Sequence, residues 1–258
     1  PNVSSVILST TDVSTNSSGE NLTGYVVASD ADSDNITYAY NWYKDDVLNA
    51  TSLITDGLVG YWPLNNDTLD YYGSNDGTNV GAVQNKTSYV IDGSYNFESS
   101  SDYIDLNAIS SLSDLDEGSI SFWMKSTDTS GYIFSLSKGV TSTDQAYIHT
   151  TGATVSFSME RADTTRLRFN TDGDLDFDNN EWHHIVVRTG EGDNAFFVNN
   201  IKVPVSFTYG DATTVEFLNM NGITHNRLAN LRYNDANQAP YDGMIDEVMI
   251  FNKTLTPE

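Results

Sequence analysis

The chain contains no cysteine, and lysine and arginine together supply only 12 of its 258 residues. Without cysteine there are no disulfides to stabilise a small scaffold and no thiol nucleophile. Because 36 acidic residues stand against the 12 basic ones, the formal charge is −24, and this charge repels phosphate backbones and anionic membrane surfaces. We therefore expect no nucleic-acid partner and an attraction for cations. Ca²⁺ is the usual stabilising ion of acidic extracellular modules.

Long apolar runs are missing as well, and none approaches the ~18 residues that cross a bilayer. Direct membrane insertion is therefore not expected. The chain starts at Pro1 without the basic and then apolar pattern of a signal sequence, so we expect any signal or anchor to lie outside these residues.

Glycosylation sequons are clustered near the start of the chain. The pattern Asn-X-Ser/Thr occurs at Asn2, Asn16, Asn21, Asn35, Asn49, Asn66, Asn85 and Asn252. Seven of these eight lie in the first 87 residues, which is more than their composition explains. The clustering predicts an exported, cell-surface glycoprotein, and the alternative is a plain Ser/Thr/Asn-rich β surface.

Catalytic signatures are also missing. His183 and His184 are adjacent, so in a strand they point to opposite faces and cannot share a metal or act as a base with its partner. The chain has no Gly-x-Ser-x-Gly elbow and no Glu-x-Asp-x-Glu triplet, which in a glucanase would place acid and nucleophile on one strand face. We expect no enzymatic activity and no organic cofactor.

What the sequence does contain is a strand meander in EWHHIVVRTGEGDNAFFVNNIKV. Two apolar runs, 183–187 and 195–198, are separated by a Gly/Asp/Asn cluster, and Asn199 and Asn200 suit the positive φ angles of a type I′ turn before 201–203. Three such strands cannot bury both faces alone, so they need a second sheet. The pattern predicts an all-β sandwich of two antiparallel sheets.

A hairpin is predicted around Asp172-Gly173. A three-residue loop would set 166–169 against 175–178, pairing Arg168 with Asp176 and Arg166 with Asp178. This pairing would neutralise the arginines. The alternative is that Arg161, Arg166 and Arg168 form a basic patch for uronic or sulfated sugars.

Residues 1–55 are predicted to form a separate small β unit with strands at 3–8, 22–29 and 36–44. The string NLTGYVVASDADSDNITYAYNWYKDDVLN resembles the immunoglobulin-like repeats of archaeal and bacterial surface proteins. Three or four strands are about half of such a sandwich. The rest would follow residue 258, or come from another copy by strand exchange, or the small sheet would pack on the large domain. Asp30, Asp32 and Asp34 have the alternating spacing of a Ca²⁺ loop, although Asn35 replaces the usual glycine.

Residues 56–258 contain five motif blocks in order: GLVGYWPL with DYYGSNDGT, IDGSYNFESSSDYIDL, GSISFWMKS, WHHIVV with FFVNNIKV, and DGMIDEVMIFNKTLTPE. These blocks, in this order, resemble those of the laminin-G-like, concanavalin A-type jelly-roll domains. The resemblance implies a jelly-roll sandwich, but it leaves the ligand open because lectins, adhesion modules and glycosidase appendages share this fold.

The resemblance also implies a structural Ca²⁺ at Asp246 of the Ile-Asp-Glu-Val block. The other ligands would be backbone carbonyls from the loop near the first jelly-roll strand and from the Asp-Gly turn. Asp92, Asp70 or Asp242 would add a second carboxylate. The alternative is that Asp246 accepts N–H groups and closes a turn.

A ligand surface would need exposed aromatic rings near loops or strand ends. The candidates are Tyr71, Tyr72, Tyr95, Tyr103, Tyr132 and Tyr147. Each is also an ordinary strand residue that packing would explain. We predict a recognition or adhesion module for a glycan or a cell-surface protein. The alternatives are a subunit of a surface layer or filament that self-associates by strand exchange, and an accessory domain of a polysaccharide-degrading enzyme.

Overall fold

The computed structural model describes residues 2–10, 22–29, 41–44, 47–51, 55–112, 115–128, 130–139, 144–151, 154–161, 164–173, 175–190, 192–218, 220, 222–233 and 236–255. The chain divides into two compact units, Pro1–Thr55 and Asp56–Glu258. Each unit is a β structure with its own strand pairing, and each is described by itself.

The first unit contains two antiparallel ribbons. Strand β1 (Asn2–Thr10) pairs with β2 (Leu22–Ser29), and β3 (Asn41–Lys44) pairs with β4 (Val47–Thr51). In the β1–β2 ribbon six apolar side chains are more than half exposed: Val3, Val6, Ile7, Leu8, Tyr25 and Val27. The aspartates at 30, 32 and 34 and the start of the predicted strand at 36 lie outside the described residues, and the immunoglobulin-like assignment stays a prediction.

The second unit is built from two sheets of eight strands. Sheet I contains β5 (Leu58–Trp62), β7 (Val83–Asn85), β8 (Ser94–Phe97), β10 (Gly118–Ser126), β15 (His183–Thr189), β16 (Ala195–Val198), β17 (Ile201–Val203) and β22 (Gly243–Phe251). Sheet II contains β6 (Thr78–Val80), β9 (Tyr103–Asp105), β11 (Ser130–Ser137), β12 (Gln145–Thr151), β13 (Thr154–Arg161), β14 (Thr164–Thr171), β18 (Val205–Tyr209) and β19 (His225–Leu228). A small hairpin joins β20 (Leu231–Tyr233) to β21 (Ala236–Gln238).

The strand orders are β17-β16-β15-β10-β22-β8-β7 for sheet I, with β5 also paired to β22, and β18-β14-β13-β12-β11-β19-β9-β6 for sheet II. All the paired strands are antiparallel, and strands distant in sequence lie side by side, as in a jelly roll. The inward side chains of both sheets form one buried core, in which Phe122 of sheet I and Phe157 of sheet II are each 1% exposed. The predicted all-β two-sheet architecture is confirmed.

The predicted meander is confirmed as β15, β16 and β17, which occupy one edge of sheet I. Asn199 and Asn200 have φ angles of 50° and 67°. Positive φ at both central residues is what a type I′ turn requires, so two asparagines fix this register.

The predicted hairpin around Asp172-Gly173 is wrong. Strand β14 pairs with β13 on one side and with β18 on the other, so its second partner comes from about 35 residues further along the chain. No strand is assigned to the described residues between 172 and 182, and Phe177 is buried in the core instead. Core burial of one phenylalanine and pairing with β18 together outweigh the local turn.

The described residues include one short 3₁₀ helix, Ser110–Leu112, and none of their helices has the length and apolarity needed to cross a membrane.

Candidate functional site

Neighbouring strands of sheet II turn aromatic and charged side chains away from the core. In β12, Ala146 and Ile148 point into the core, so Tyr147 and His149 point outward, and β13 and β14 follow the same alternation. In β11 an irregularity between Tyr132 and Phe134 interrupts the alternation, and Tyr132 lies opposite the outward His149. We call the outward set on strands β11, β12, β13, β14 and β18 the tyrosine–arginine patch: Tyr132, Tyr147, His149, Glu160, Arg168 and Tyr209.

Three rings of the patch touch one another. The centroid of Tyr132 lies 5.0 Å from that of Tyr147 in an edge-on arrangement and 5.5 Å from that of His149. Tyr147 and His149 are 5.2 Å apart. Because the neighbouring rings cover Tyr147, it is only 6% exposed, while Tyr132 and His149 remain half-buried. Of these three rings, those of Tyr132 and His149 are therefore the ones that a ligand could contact.

The guanidinium of Arg168 ties three strands together. It donates from Nη2 to Glu160 Oε1 at 2.6 Å and to the Tyr147 hydroxyl at 3.0 Å, and from Nε to Ser158 Oγ at 3.1 Å. Gln145 donates to the other Glu160 oxygen at 2.8 Å. This network fixes the polar atoms of the patch in advance, so a bound molecule would meet donors and acceptors that are already oriented.

Burial and charge set the protonation of the patch at neutral pH. Burial and the nearby charge of Arg168 lower the pKa of His149 to about 4, so the imidazole is neutral. Burial, with smaller effects of Tyr147 and Glu160, raises the pKa of Tyr132 to about 12, so its hydroxyl keeps its proton. Arg168 and Glu160 form an ion pair, so the patch carries little net charge.

Residues 230–233 and 236–240, which include the paired strands β20 and β21, cover the β11 side of this face. Ser135 Oγ donates to the carbonyl of Asn230 at 2.6 Å, and the Tyr132 N–H donates to the carbonyl of Ala239 at 3.0 Å. On the opposite side Tyr209 is 48% exposed, and the Arg168 guanidinium lies 5.8 Å from its ring centroid. The open part of the face therefore runs from Tyr132 across β12, β13 and β14 to Tyr209.

The other four predicted tyrosines lie elsewhere. Tyr71 and Tyr72 are exposed in the loop after β5, and the Tyr71 hydroxyl donates to Asp67 at 3.3 Å. Tyr95 is buried in the core. Tyr103, on β9, lies under the guanidinium of Arg227 at 3.9 Å from its ring centroid. The structure thus brings together Tyr132 and Tyr147 and separates the remaining four from them.

Asp246 is fully buried at an irregularity in the pairing of β22 with β10. Its Oδ2 accepts the N–H groups of Val90 at 2.7 Å and Ile91 at 3.3 Å, whereas Oδ1 has no hydrogen-bond partner among the described residues. Glu247, with a positive φ of 53°, accepts the Tyr61 hydroxyl at 2.6 Å. Burial raises the pKa of Asp246 to about 8 and that of Glu247 to about 7.

The carboxylates proposed to assist Asp246 have other roles or positions. Asp70 accepts five hydrogen bonds from 61 and from the loop 72–75, and although burial raises its pKa, these bonds outweigh burial and lower it. Asp92 and Asp242 are exposed. Within the described ranges no three His, Cys, Asp or Glu side chains are grouped so that they could hold a metal ion.

The structure of these loops therefore contains one feature that favours a calcium ion and one that opposes it. The unpartnered Oδ1 of Asp246 fits a cation, but two loop carbonyls, that of Asn65 after β5 and that of Asp92 before Gly93, accept hydrogen bonds from Lys86. Calcium stays a prediction.

The sequons are placed as follows. Asn66 and Asn252 are exposed, and Asn85 is half-buried, with Oδ1 accepting the N–H groups of Thr87 and Ser88. Asn2 and Asn49 lie in β1 and β4, and the sequons at 16, 21 and 35 lie outside the described residues. Glycosylation at all eight stays a prediction.

His183 and His184 point to opposite faces, as predicted. His183 packs against Phe177, while His184 stacks on Trp123 with centroids 5.0 Å apart and shares a 2.9 Å hydrogen bond with Ser121.

Sequence reasoning missed His149 and Glu160. A signal for them exists in the strands QAYIHTT and TVSFSMER, where outward polar or aromatic residues alternate with inward apolar ones. Lys86 carries no comparable signal, because its partners are mainly backbone carbonyls.

Comparison with known proteins places this fold in a family. The laminin G-like profile of the concanavalin A-like lectin/glucanases superfamily matches residues 98–258, more than half of the chain. The chain therefore belongs to this family. A search of curated proteins finds no significant match.

Solved structures with the same fold include two carbohydrate-binding domains. Domain 4 of AbnA, a GH43 extracellular arabinanase from Geobacillus stearothermophilus solved with arabinotriose, is 16% identical over 78% of this chain and 94% of that chain, with a TM-score of 0.55. The CBM40 of the Ruminococcus gnavus IT-sialidase, bound to α2,3-sialyllactose, is 11% identical over 70% and 94%, with a TM-score of 0.50.

A leech intramolecular trans-sialidase is 12% identical over 79% of this chain but only 27% of that chain, with a TM-score of 0.52. At these identities the likeness shows the fold alone.

Proposed function

We propose that the jelly roll is a non-catalytic glycan-binding module that acts outside the cell and takes its ligand on the tyrosine–arginine patch. The observation that carries this proposal is the half-buried, partly accessible ring of Tyr132 beside the fixed network of Arg168, Glu160 and Tyr147. A few oriented polar groups next to aromatic surface are what a sugar, with apolar C–H faces and polar hydroxyls, requires. The sugar-bound domains of the same fold support this reading.

The charge of the patch favours a neutral sugar. Arg168 already has Glu160 as its counter-ion at 2.6 Å, so a sugar carboxylate would have to displace a partner from it. The formal charge of −24 also repels anionic glycans before they arrive. We therefore expect neutral oligosaccharides to bind better than sialylated or uronic ones.

The test is a glycan array followed by calorimetry of wild type, Tyr132→Ala and Tyr71→Ala, with arabinotriose, lactose and α2,3-sialyllactose as the first probes. We expect Tyr132→Ala to weaken binding roughly tenfold or more, as loss of a contact ring does. Tyr71 is the matched control because its ring is 60% exposed but lies beside sheet I. Binding lost in Tyr71→Ala and kept in Tyr132→Ala would move the site away from the patch.

A second candidate function is self-association through the first unit. The β1–β2 ribbon exposes apolar side chains on adjacent positions, such as Ile7 and Leu8, and therefore on both of its faces. A second copy that added a strand or a sheet would cover them. Sedimentation at increasing concentration tests this proposal: we expect association that Val6→Lys abolishes, and a concentration-independent monomer would contradict it.

The hypothesis of an accessory domain is supported by the similar solved structures, because they belong to an arabinanase and to sialidases. A glycosidase domain in the reading frame around these residues would support it.

Calcium stabilisation stays a prediction of the resemblance, with Asp246 as its carboxylate. A chelator that leaves the melting temperature unchanged would contradict it.

A further inference from the structure

Lys86 holds its ammonium among three oxygens that belong to two loops of the jelly roll. Nζ donates to the carbonyl of Asn65 at 2.5 Å, to the side-chain oxygen of Asn66 at 2.6 Å and to the carbonyl of Asp92 at 2.8 Å. An ammonium has three N–H donors, so these contacts use all of them. None of the three oxygens belongs to a carboxylate.

This setting differs from that of other lysines in the chain. Three of them pair with aspartates: Lys138 with Asp144, Lys202 with Asp193, and Lys253 with Asp56. Although the chain has 36 acidic residues, the hydrogen bonds of the exposed Lys86 ammonium go to neutral oxygens alone.

The two loops press against each other at this point. A Cβ added to Gly93 would lie 2.1 Å from the Asn65 carbonyl oxygen, and that oxygen also accepts a 2.7 Å hydrogen bond from Gln84. With its nitrogen turned toward them, the side-chain amide of Asn65 donates to the carbonyls of Pro63 and Ile91. Carbonyl dipoles that converge in this way repel one another unless donors or a cation lie between them.

The same loop is also held by a buried carboxyl group. Asp246 on β22 accepts the N–H groups of Val90 and Ile91, while Lys86 takes the carbonyl of the next residue, Asp92. The segment 86–93 is thus fixed by a carboxyl group that accepts from its N–H groups and by an ammonium that donates to its carbonyl.

We propose that Lys86 is a chain-borne substitute for a metal ion, so that the wild-type loops need no divalent cation, and that removal of its ammonium turns the same oxygens into a divalent-cation site. The three oxygens that bind Lys86 are peptide and amide oxygens, which are among the ligands that Ca²⁺ accepts. This inference differs from the expectation of a bound calcium ion, because it assigns the positive charge of these loops to Lys86. It does not depend on whether the jelly roll binds a glycan.

The experiment compares thermal melts of the full chain as wild type, Lys86→Met, Lys86→Arg and Lys202→Met, first in chelator and then in millimolar CaCl₂. In chelator we expect Lys86→Met to melt roughly 3 to 6 °C below wild type, and CaCl₂ to restore most of this loss. Lys86→Arg keeps the charge and should stay closer to wild type. Lys202→Met, which loses an ammonium bound to a carboxylate, should show no gain from CaCl₂ beyond that of wild type.

Terbium luminescence provides a readout that does not depend on unfolding: Lys86→Met should bind the ion more tightly than wild type. Several results would overturn the inference. The first is that Lys86→Met and wild type have the same melting temperature in chelator. The second is that CaCl₂ raises the melting temperature of Lys86→Met no more than that of wild type. The third is that Lys86→Met fails to fold in either buffer. A wild-type protein that loses as much stability in chelator as Lys86→Met would overturn it too, and would instead favour calcium at Asp246.

Discussion

Arg168 on β14 and Glu160 on β13 form a 2.6 Å ion pair on the face of sheet II that points away from the core. In Glu160→Gln the side-chain oxygen can still accept this hydrogen bond, but the positive charge of Arg168 is no longer compensated. We therefore expect the affinity for α2,3-sialyllactose to rise roughly threefold to tenfold relative to lactose in calorimetry.

Asp193→Asn is the control for this prediction, because it removes one negative charge near β16 of sheet I, where Asp193 binds Arg188 and Lys202. A gain of equal size in Asp193→Asn would show that only the net charge of the chain matters. No gain in Glu160→Gln would contradict a ligand at Arg168.

His149 makes the stability of the jelly roll depend on pH. Its pKa is about 4 in the folded chain and about 6.5 when unfolded, so its contribution is present above pH 6.5 and is lost as the pH falls toward 4. Between pH 7 and pH 4.5 we expect wild type to lose roughly 4 to 8 °C more than His149→Gln. His183 and His184 also have lowered pKa values, but they are present in both proteins and cancel in the comparison. Parallel pH profiles of the two proteins would contradict this assignment.

Local turn chemistry and strand alternation made parts of the fold predictable. Asparagine tolerates positive φ, so the pair Asn199-Asn200 predicts the turn between β16 and β17, and both residues have positive φ in the structure. The same kind of reasoning fails at Asp172-Gly173, because the second partner of β14 is β18. Their paired residues lie 34 to 41 positions apart, and such a pairing depends on the whole sheet rather than on one turn.

The sequence predicts which side chains belong to the candidate site, but it does not predict the contacts that they make. Tyr132 and Tyr147 were named from the sequence, but their contact depends on the pairing of β11 with β12. For Asp246 the resemblance predicts an ion ligand, with acceptance of N–H groups as the alternative, and its observed partners are the N–H groups of Val90 and Ile91. Backbone donors and acceptors have no sequence signature, which is why the Lys86 contacts could not be foreseen.

Gly93 is required for the close approach of its loop to Asn65. Its φ is 151°, and a Cβ there would lie 2.1 Å from the Asn65 carbonyl oxygen, so Gly93→Ala must push the loops apart. We expect the melting temperature to fall by roughly 5 to 10 °C. Gly173→Ala is the control, because Gly173 also has a positive φ, 79°, but nothing lies within 4 Å of an added Cβ. Its destabilisation therefore comes from backbone strain alone. Equal losses in the two variants would show that the loop contact contributes nothing.

Asp246 allows its two roles to be separated by two substitutions. Asp246→Ala leaves the N–H groups of Val90 and Ile91 without their acceptor, and each buried unpaired donor costs about 1 to 3 kcal/mol. We expect its melting temperature to fall by roughly 5 °C or more. Asp246→Asn keeps an acceptor oxygen for both groups. If Lys86 supplies the positive charge of these loops, Asp246→Asn should melt close to wild type in chelator and in CaCl₂ alike. A wild-type gain in CaCl₂ that Asp246→Asn abolishes would instead make Asp246 an ion ligand.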